Sequence, residues 1–276
     1  MTGIALTKKF FSSSSDSSNK GIILDLSGEK LRYTLESLLK GCESRGGIEA
    51  YITTLKAKSD LFRNVLLPED DKELSLEMLA VVLPFMPTVR RKILPELKEK
   101  GAVRVLDATR TLVKYRKDTT TINEQLKRFR EQLPADGNYR WVRDLAAEIL
   151  HYLEPEKYPL MTRWIWDFKA NTGVLRELWF GENIDQKTIQ ISDKYEVFLS
   201  LREELTMFLT QNGFYRDVHW YSDLIQAQTY ADYIANQGGT YLRADFNSLE
   251  DPMEHTRRML GLDGAKGVFD QSENED

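Results

Sequence analysis

The segment from Trp141 to Trp179 reads WVRDLAAEILHYLEPEKYPLMTRWIWDFKANTGVLRELW and holds four of the five tryptophans of the chain. Its first third has apolar residues at the spacing of an amphipathic helix, namely Trp141, Val142, Leu145, Ile149 and Leu153. Pro155 and Pro159 then predict an extended crossing, because proline has no amide donor and restricts the residue before it. Beyond them, Thr162 is predicted to cap a short helix, RWIWDFKA, that ends before Gly173. We call residues 141–179 the hub and predict that the fold is organised around it.

Apolar residues also recur at helical spacing on both sides of the hub. Helices are expected near 28–40, 48–65, 74–83, 103–115, 122–133, 193–211 and 217–236. Ser27 and Ser192 are predicted N-caps, while Gly41 and the pair Asn212-Gly213 are predicted stops. Most of the chain outside the hub is therefore predicted to be helical.

Two segments leave a strand as an alternative. Residues 103–115 fit a helix or a strand, with the helix favoured, and the alternation at 187–191 is typical of a short strand. The predicted fold class is mainly α: a multi-helix globular bundle with at most a short β element near 187–191. The Ser-rich residues 1–26 and the acidic residues 265–276 are expected to be disordered tails. Residues 27–264 are expected to form one helical domain, with two lobes meeting near 134–160 as an alternative.

Composition restricts the class of protein. The chain has 276 residues, 41% of them apolar and 29% charged, which is typical of a globular protein. It lacks an apolar run of the roughly 18 residues that a membrane-spanning helix needs, so no membrane partner is expected. Its one cysteine, Cys42, excludes an internal disulfide and favours a reducing cytoplasm. The net charge of −5 makes nucleic-acid binding the least favoured interpretation.

One basic cluster departs from this acidic average. Arg90, Arg91 and Lys92 are adjacent, so phosphate binding is one interpretation of them. The nearby Glu96 and Glu99 dilute the cluster and favour a solvated surface instead.

The chain carries no local motif for catalysis. It has no phosphate-binding glycine loop, no dinucleotide fingerprint and no nucleophile elbow. His151, His219 and His255 lack partners at metal-ligand spacing, so neither a metal site nor a cofactor is predicted. Whether the protein is an enzyme stays open, with the absence of a motif favouring a non-enzyme.

The hub supplies most of the candidate binding residues, because tryptophan and arginine are typical of interface hot spots and of anion clamps. The candidates are His151, Arg163, Trp164, Trp166, Asp167, Lys169, Asn171, Arg176, His219 and Arg243. Arg163 and Asp167 are four residues apart, so they are predicted to share a helix face and to pair. Trp164 and Trp166 cannot face the same way on a helix, so at least one is expected to pack on a second element.

One phrase in the hub resembles a known family. ILHYLEPEKYP, residues 149–159, is similar over about a dozen residues to a stretch of helix-hairpin-helix DNA glycosylases, in which a proline leads into a catalytic aspartate. Here Leu160, Met161 and Thr162 follow Pro159, and the glycine-rich hairpin that grips DNA is not visible upstream. The resemblance does not place the chain in that family.

Two functions follow as hypotheses. The leading one is an accessory or regulatory protein that binds another protein through the aromatic and arginine residues of the hub. In that case, replacing Trp164, Trp166 or Arg163 is expected to weaken partner binding more than folding. The alternative is an enzyme or small-ligand-binding protein with a polar pocket between the hub and the C-terminal helices. A homo-oligomer is compatible with either hypothesis.

Overall fold

The computed structural model describes residues 22–68, 73–98, 100–134, 139–237 and 253–265. The predicted tails therefore lie outside the described residues, except for 22–26 and 265. Ten α-helices lie in the described part, and the mainly α fold class is confirmed. They are α1 Gly28–Cys42, α2 Ile48–Leu66, α3 Leu76–Val82, α4 Lys100–Tyr115, α5 Ile122–Glu131, α6 Trp141–Leu153, α7 Val174–Leu178, α8 Tyr195–Gln211, α9 Val218–Gln237 and α10 Glu254–Met259.

Several helix boundaries follow the predicted capping chemistry. The Ser27 side chain accepts a hydrogen bond from the Lys30 amide at 3.4 Å, which satisfies one of the free donors at the start of α1. Asn212 follows the last residue of α8, and Gly213 has the left-handed φ of 92° that stops the helix. The break before Pro84 is also confirmed, because α3 ends at Val82 and gives way to a 3₁₀ turn.

Two predicted boundaries are wrong. Gly41 does not end α1, which runs to Cys42 and continues as a 3₁₀ turn up to Gly46, where φ is 80°. Gly41 is small for a packing reason instead: a Cβ there would lie 2.8 Å from Met253 Sδ. Ser192 does not cap α8 either, because the helix begins at Tyr195, whose amide donates to the Asn123 side chain at 3.1 Å.

The described residues contain little β structure. Residues 187–191 form no strand, and within the described ranges the only β pairing is two isolated bridges, Leu26 with Trp179 and Asp167 with Thr172. Residues 87–97 form a series of turns.

Helix α6, the first third of the hub, lies in the core. Every residue of α6 except Arg143 is buried, and the helix packs against α2, α4 and α5. On the other side of the core, α9 packs against α1, α7, α8 and α10. The buried apolar side chains form a single cluster that runs from Leu24 to Leu262. Among the described residues, no helix combines the length and the apolar character needed to cross a membrane.

Candidate functional site

The hub beyond the prolines is built of turns rather than the predicted helix. The Thr162 carbonyl accepts from the amides of Ile165 and Trp166 at 3.1 and 3.3 Å, and the chain then leaves the helical path. Asp167 and Thr172 pair across a tight loop with backbone hydrogen bonds of 3.0 and 3.3 Å. The prediction of a helix over RWIWDFKA is wrong because this loop closes within it.

The loop changes the partners of both charged residues. Arg163 donates from its backbone amide and its guanidinium to Asp144 of α6, with distances of 2.9, 3.2 and 2.7 Å. Asp167 accepts from Arg140 at 2.7 Å and from the Ala170 amide at 3.1 Å. The predicted pair between Arg163 and Asp167 is therefore wrong. Each residue instead ties the loop to α6 or to the turn before it.

These two ion pairs form one side of a cleft of about 340 Å³. The second side is the turn 87–92, and the third is a tyrosine of α9. The lining residues that matter below are Thr88, Arg91, Lys92, Arg140, Asp144, Arg163, Trp164, Asp167 and Tyr230. The cleft lies between the hub and a C-terminal helix.

The cleft has more cations than anions. Its carboxylates, Asp144 and Asp167, are each held by an arginine. Burial raises the pKa of Asp167, but hydrogen bonds from the Ala170 amide and Arg140 outweigh it and hold the pKa below its usual value. Arg91 and Lys92 are exposed and form no ion pair with any residue that the structure describes. The local charge is thus positive, in a chain whose net charge is −5.

A buried ion pair lies behind the cleft. Lys58 of α2 is fully buried, donates to the carbonyls of Phe85 and Leu260 at 2.7 and 2.8 Å, and lies 3.5 Å from the Glu148 carboxylate of α6. Burial lowers the pKa of Lys58 to about 8, and it raises the pKa of Glu148 to about 7. In each case the opposite charge of the partner offsets part of the shift.

The Thr88 hydroxyl lies between this pair and the cleft. It lowers the pKa of Glu148 against the larger effect of burial, and Thr88 also lines the cleft. Its oxygen is buried but makes no hydrogen bond of ordinary geometry with the described part of the chain.

The histidines lie away from the cleft. His151 is buried, with Nδ1 2.8 Å from the Tyr158 carbonyl and Nε2 3.0 Å from Asp223 of α9. His219 lies 3.7 Å from Glu156, and burial lowers its pKa. Both histidines join helices or loops to one another and neither reaches the cleft lining.

The structure brings together Arg163, Trp164 and Asp167 of the sequence-predicted site residues. Trp166 is fully buried and donates from its indole nitrogen to the Ile191 carbonyl at 3.0 Å. Asn171 and Arg176 hold the loop 184–189 through hydrogen bonds to its carbonyls, while Lys169 is exposed. Arg243 lies outside the described residues.

Sequence reasoning did not select the other residues of the cleft, among them Arg91, Lys92, Arg140 and Tyr230. Arg91 and Lys92 had a signal, since they belong to the basic cluster, although the adjacent Arg90 turns away to Asp263 with distances of 3.1 and 2.8 Å. No local sequence signal marked Arg140 or Tyr230, because their place in the cleft depends on the packing of α9 and on the loop at Asp167.

Comparison with models of protein families, with curated proteins and with solved structures gives no match. The described residues hold no group of three or more histidine, cysteine, aspartate or glutamate side chains placed to bind a metal ion. The chemistry of the cleft must therefore be argued from its own side chains.

Proposed function

We propose that the protein binds a small anionic ligand in the cleft between the hub and α9. The observation that carries the proposal is the presence of Arg91 and Lys92, exposed and unpaired among the described residues, beside the guanidinium groups of Arg140 and Arg163. Charge-assisted hydrogen bonds from arginine to an anion are about twice as strong as neutral ones. The volume of about 340 Å³ lies within the usual range for small-molecule sites.

The carboxylates support this proposal by fixing the cations. Arg163 donates to Asp144 from two guanidinium nitrogens, and Arg140 donates to Asp167 from one. Both arginines therefore retain N–H groups that can donate to a ligand. Holding the arginines before binding reduces the entropy that an anion must otherwise overcome. Since the carboxylate oxygens already accept hydrogen bonds, they repel an anion less than free carboxylates would.

The test is a calorimetric titration of the whole protein with inorganic phosphate and with sulfate, at low ionic strength. We expect binding by the wild type and at least a tenfold weaker affinity after the double substitution Arg91→Gln with Lys92→Gln, which removes two cations from the rim.

The matched control is Lys127→Gln with Arg128→Gln on α5, an adjacent and exposed basic pair outside the cleft lining. It changes the net charge by the same amount, so it should leave the anion affinity unchanged. Equal loss in both variants would mean that the effect is general electrostatics, and the proposed site would be rejected. Absence of binding by the wild type would reject it as well.

The second candidate function is the binding of a partner protein to the hub, which stays a prediction. Trp164 is 6% exposed and Trp166 is fully buried, so neither offers an aromatic surface to a partner. The surface left for docking would centre on the exposed Phe168 and Lys169 beside Arg140. A cytoplasmic location, inferred from the single cysteine, belongs to both candidates.

A further inference from the structure

The cleft has an aromatic wall, which a bare anion does not require. Trp164 and Tyr230 both line the cleft, with ring centroids 5.7 Å apart and an interplanar angle of 55°. Tyr233, one turn further along α9, continues the row at 6.0 Å from Tyr230 but is not part of the lining. Aromatic faces bind planar rings and cations, and phosphate gains nothing from them.

The wall is held in place before any ligand arrives. The Trp164 carbonyl accepts from the Val174 amide at 3.0 Å, and its side chain is 6% exposed. Tyr230 is half-buried on the long helix α9, and burial raises its pKa, so the phenol is neutral at physiological pH. Trp164 is therefore almost enclosed, and Tyr230 is the ring that presents a fixed, uncharged surface to the cleft.

The two exposed cations reach the cleft from a different element than Tyr230, whereas Arg163 is next to Trp164 in the hub. The turn that carries Arg91 and Lys92 is anchored by Val89, which is fully buried, and by the bidentate pair of Arg90 with Asp263. The exposed cations thus lie on the turn 87–92, and the half-buried ring of Tyr230 lies on α9. A ligand that used both would carry its negative charge at one end and a flat ring at the other.

Thr88 also lines the cleft, but its hydroxyl oxygen is buried and acts on Glu148, whose pKa it lowers, so we assign it no contact with the ligand. The volume of about 340 Å³ lies at the small end of the range for small-molecule sites.

We propose that the ligand of the cleft is a phosphate monoester joined to a planar ring, of the size of a nucleoside monophosphate. Its phosphate contacts Arg91 and Lys92, and its ring packs on Tyr230, the half-buried ring of the wall, which Trp164 contacts. This inference rests on the proposed anion site and names the class of molecule that the site takes.

The experiment compares four probes with the whole wild-type protein by calorimetry: inorganic phosphate, ribose 5-phosphate, adenosine and AMP. We expect AMP to bind at least tenfold more tightly than ribose 5-phosphate, since base stacking on an aromatic side chain has about that effect. Adenosine, which lacks the charge, is expected to bind at least tenfold more weakly than AMP. Equal affinities for AMP and ribose 5-phosphate would overturn the inference and leave the anion site standing. No binding of any phosphate compound would reject the anion site itself.

A pair of variants tests the wall directly. Tyr230→Leu keeps an apolar side chain but removes the ring, so AMP should bind about tenfold more weakly while ribose 5-phosphate is unaffected. Tyr233→Leu removes the neighbouring ring outside the lining and should leave both affinities unchanged. Circular dichroism confirms that each variant is folded. An equal loss for both ligands in Tyr230→Leu would contradict the wall, and if that variant fails to fold, the four-probe series on the wild type still decides.

Discussion

At the scale of single residues, the pair of Lys58 and Glu148 shows the largest conflict between burial and charge. Both side chains are almost completely buried, and taking two charges out of water costs more than an isolated ion pair returns. Lys58 lessens this cost by donating to the carbonyls of Phe85 and Leu260. The position of the Lys58 ammonium group is therefore fixed by three groups: the carbonyls of Phe85 and Leu260 and the carboxylate of Glu148.

The raised pKa of Glu148 predicts how stability depends on pH. Folding raises that pKa from 4.5 to about 7, so between these values the folded state holds a proton that the unfolded chain has lost. The resulting stabilisation is complete below pH 4.5 and is lost as the pH rises to about 7. Lys58 has its pKa lowered to about 8 and changes stability only above that pH.

We therefore expect the free energy of unfolding of the wild type, relative to that of Glu148→Gln, to fall between pH 5 and pH 7. The amide introduced by this substitution exchanges no proton in that range. Its loss of charge also lowers the pKa of Lys58 further, which makes the variant relatively more stable as the pH rises and changes the difference in the same direction. Urea unfolding followed by tryptophan fluorescence, repeated across this pH range, measures it. A difference that stays constant or grows with pH would show that Glu148 is ionised in the folded protein.

At the scale of elements, the loop from Arg163 to Gly173 determines the cleft. Its course depends on Gly173, whose φ is 122°, a value that residues with a side chain rarely adopt. A Cβ at this position would also lie 2.7 Å from the Ile165 carbonyl oxygen and 2.9 Å from that of Trp164. The backbone therefore passes too close to itself for any residue but glycine.

Gly173→Ala is expected to destabilise the protein by about 1–3 kcal/mol or more through strain and the close contact. Gly28→Ala is the matched control, since a Cβ there meets nothing within 4 Å and alanine is the better helix former. That change should leave stability unchanged or raise it by up to about 1 kcal/mol. Thermal unfolding of the two variants measures the difference, and similar melting temperatures would contradict the role assigned to Gly173.

The same loop marks the limit of what the sequence predicts. Helices α1, α2, α4, α5, α6, α8 and α9 lie close to their predicted positions, because apolar spacing and caps are local properties of the chain. The segment RWIWDFKA has the local pattern of a helix, yet long-range hydrogen bonds stabilise a turn there instead. The Arg163 amide donates to Asp144, and Arg140 donates to Asp167. The cleft could not be predicted for the same reason: Arg91 and Tyr230 are far apart in sequence, and only packing brings them to one lining.

At the scale of the whole molecule, the C-terminal residues 253–265 close the core. Met253, Leu260 and Leu262 are buried there, and Arg90 and Lys58 hold the segment through Asp263 and the Leu260 carbonyl. These contacts join residues at opposite ends of the chain to a core that also contains the hub. If residues 27–264 form one domain, as the sequence predicts, a destabilising substitution at Leu260 should also lower the stability measured by the fluorescence of the hub tryptophans.

Leu260→Ala tests this expectation, because removing a leucine that is 1% exposed costs about 2–5 kcal/mol in a packed core. We expect one unfolding transition, with its midpoint lowered equally when followed by hub tryptophan fluorescence and by far-UV circular dichroism. Leu94→Ala is the control, since Leu94 is 55% exposed and its loss should change little. A fluorescence midpoint that stays at the wild-type value while the helical signal falls earlier would mean that the two ends of the chain unfold separately. The expected single domain would then give way to the alternative of two lobes.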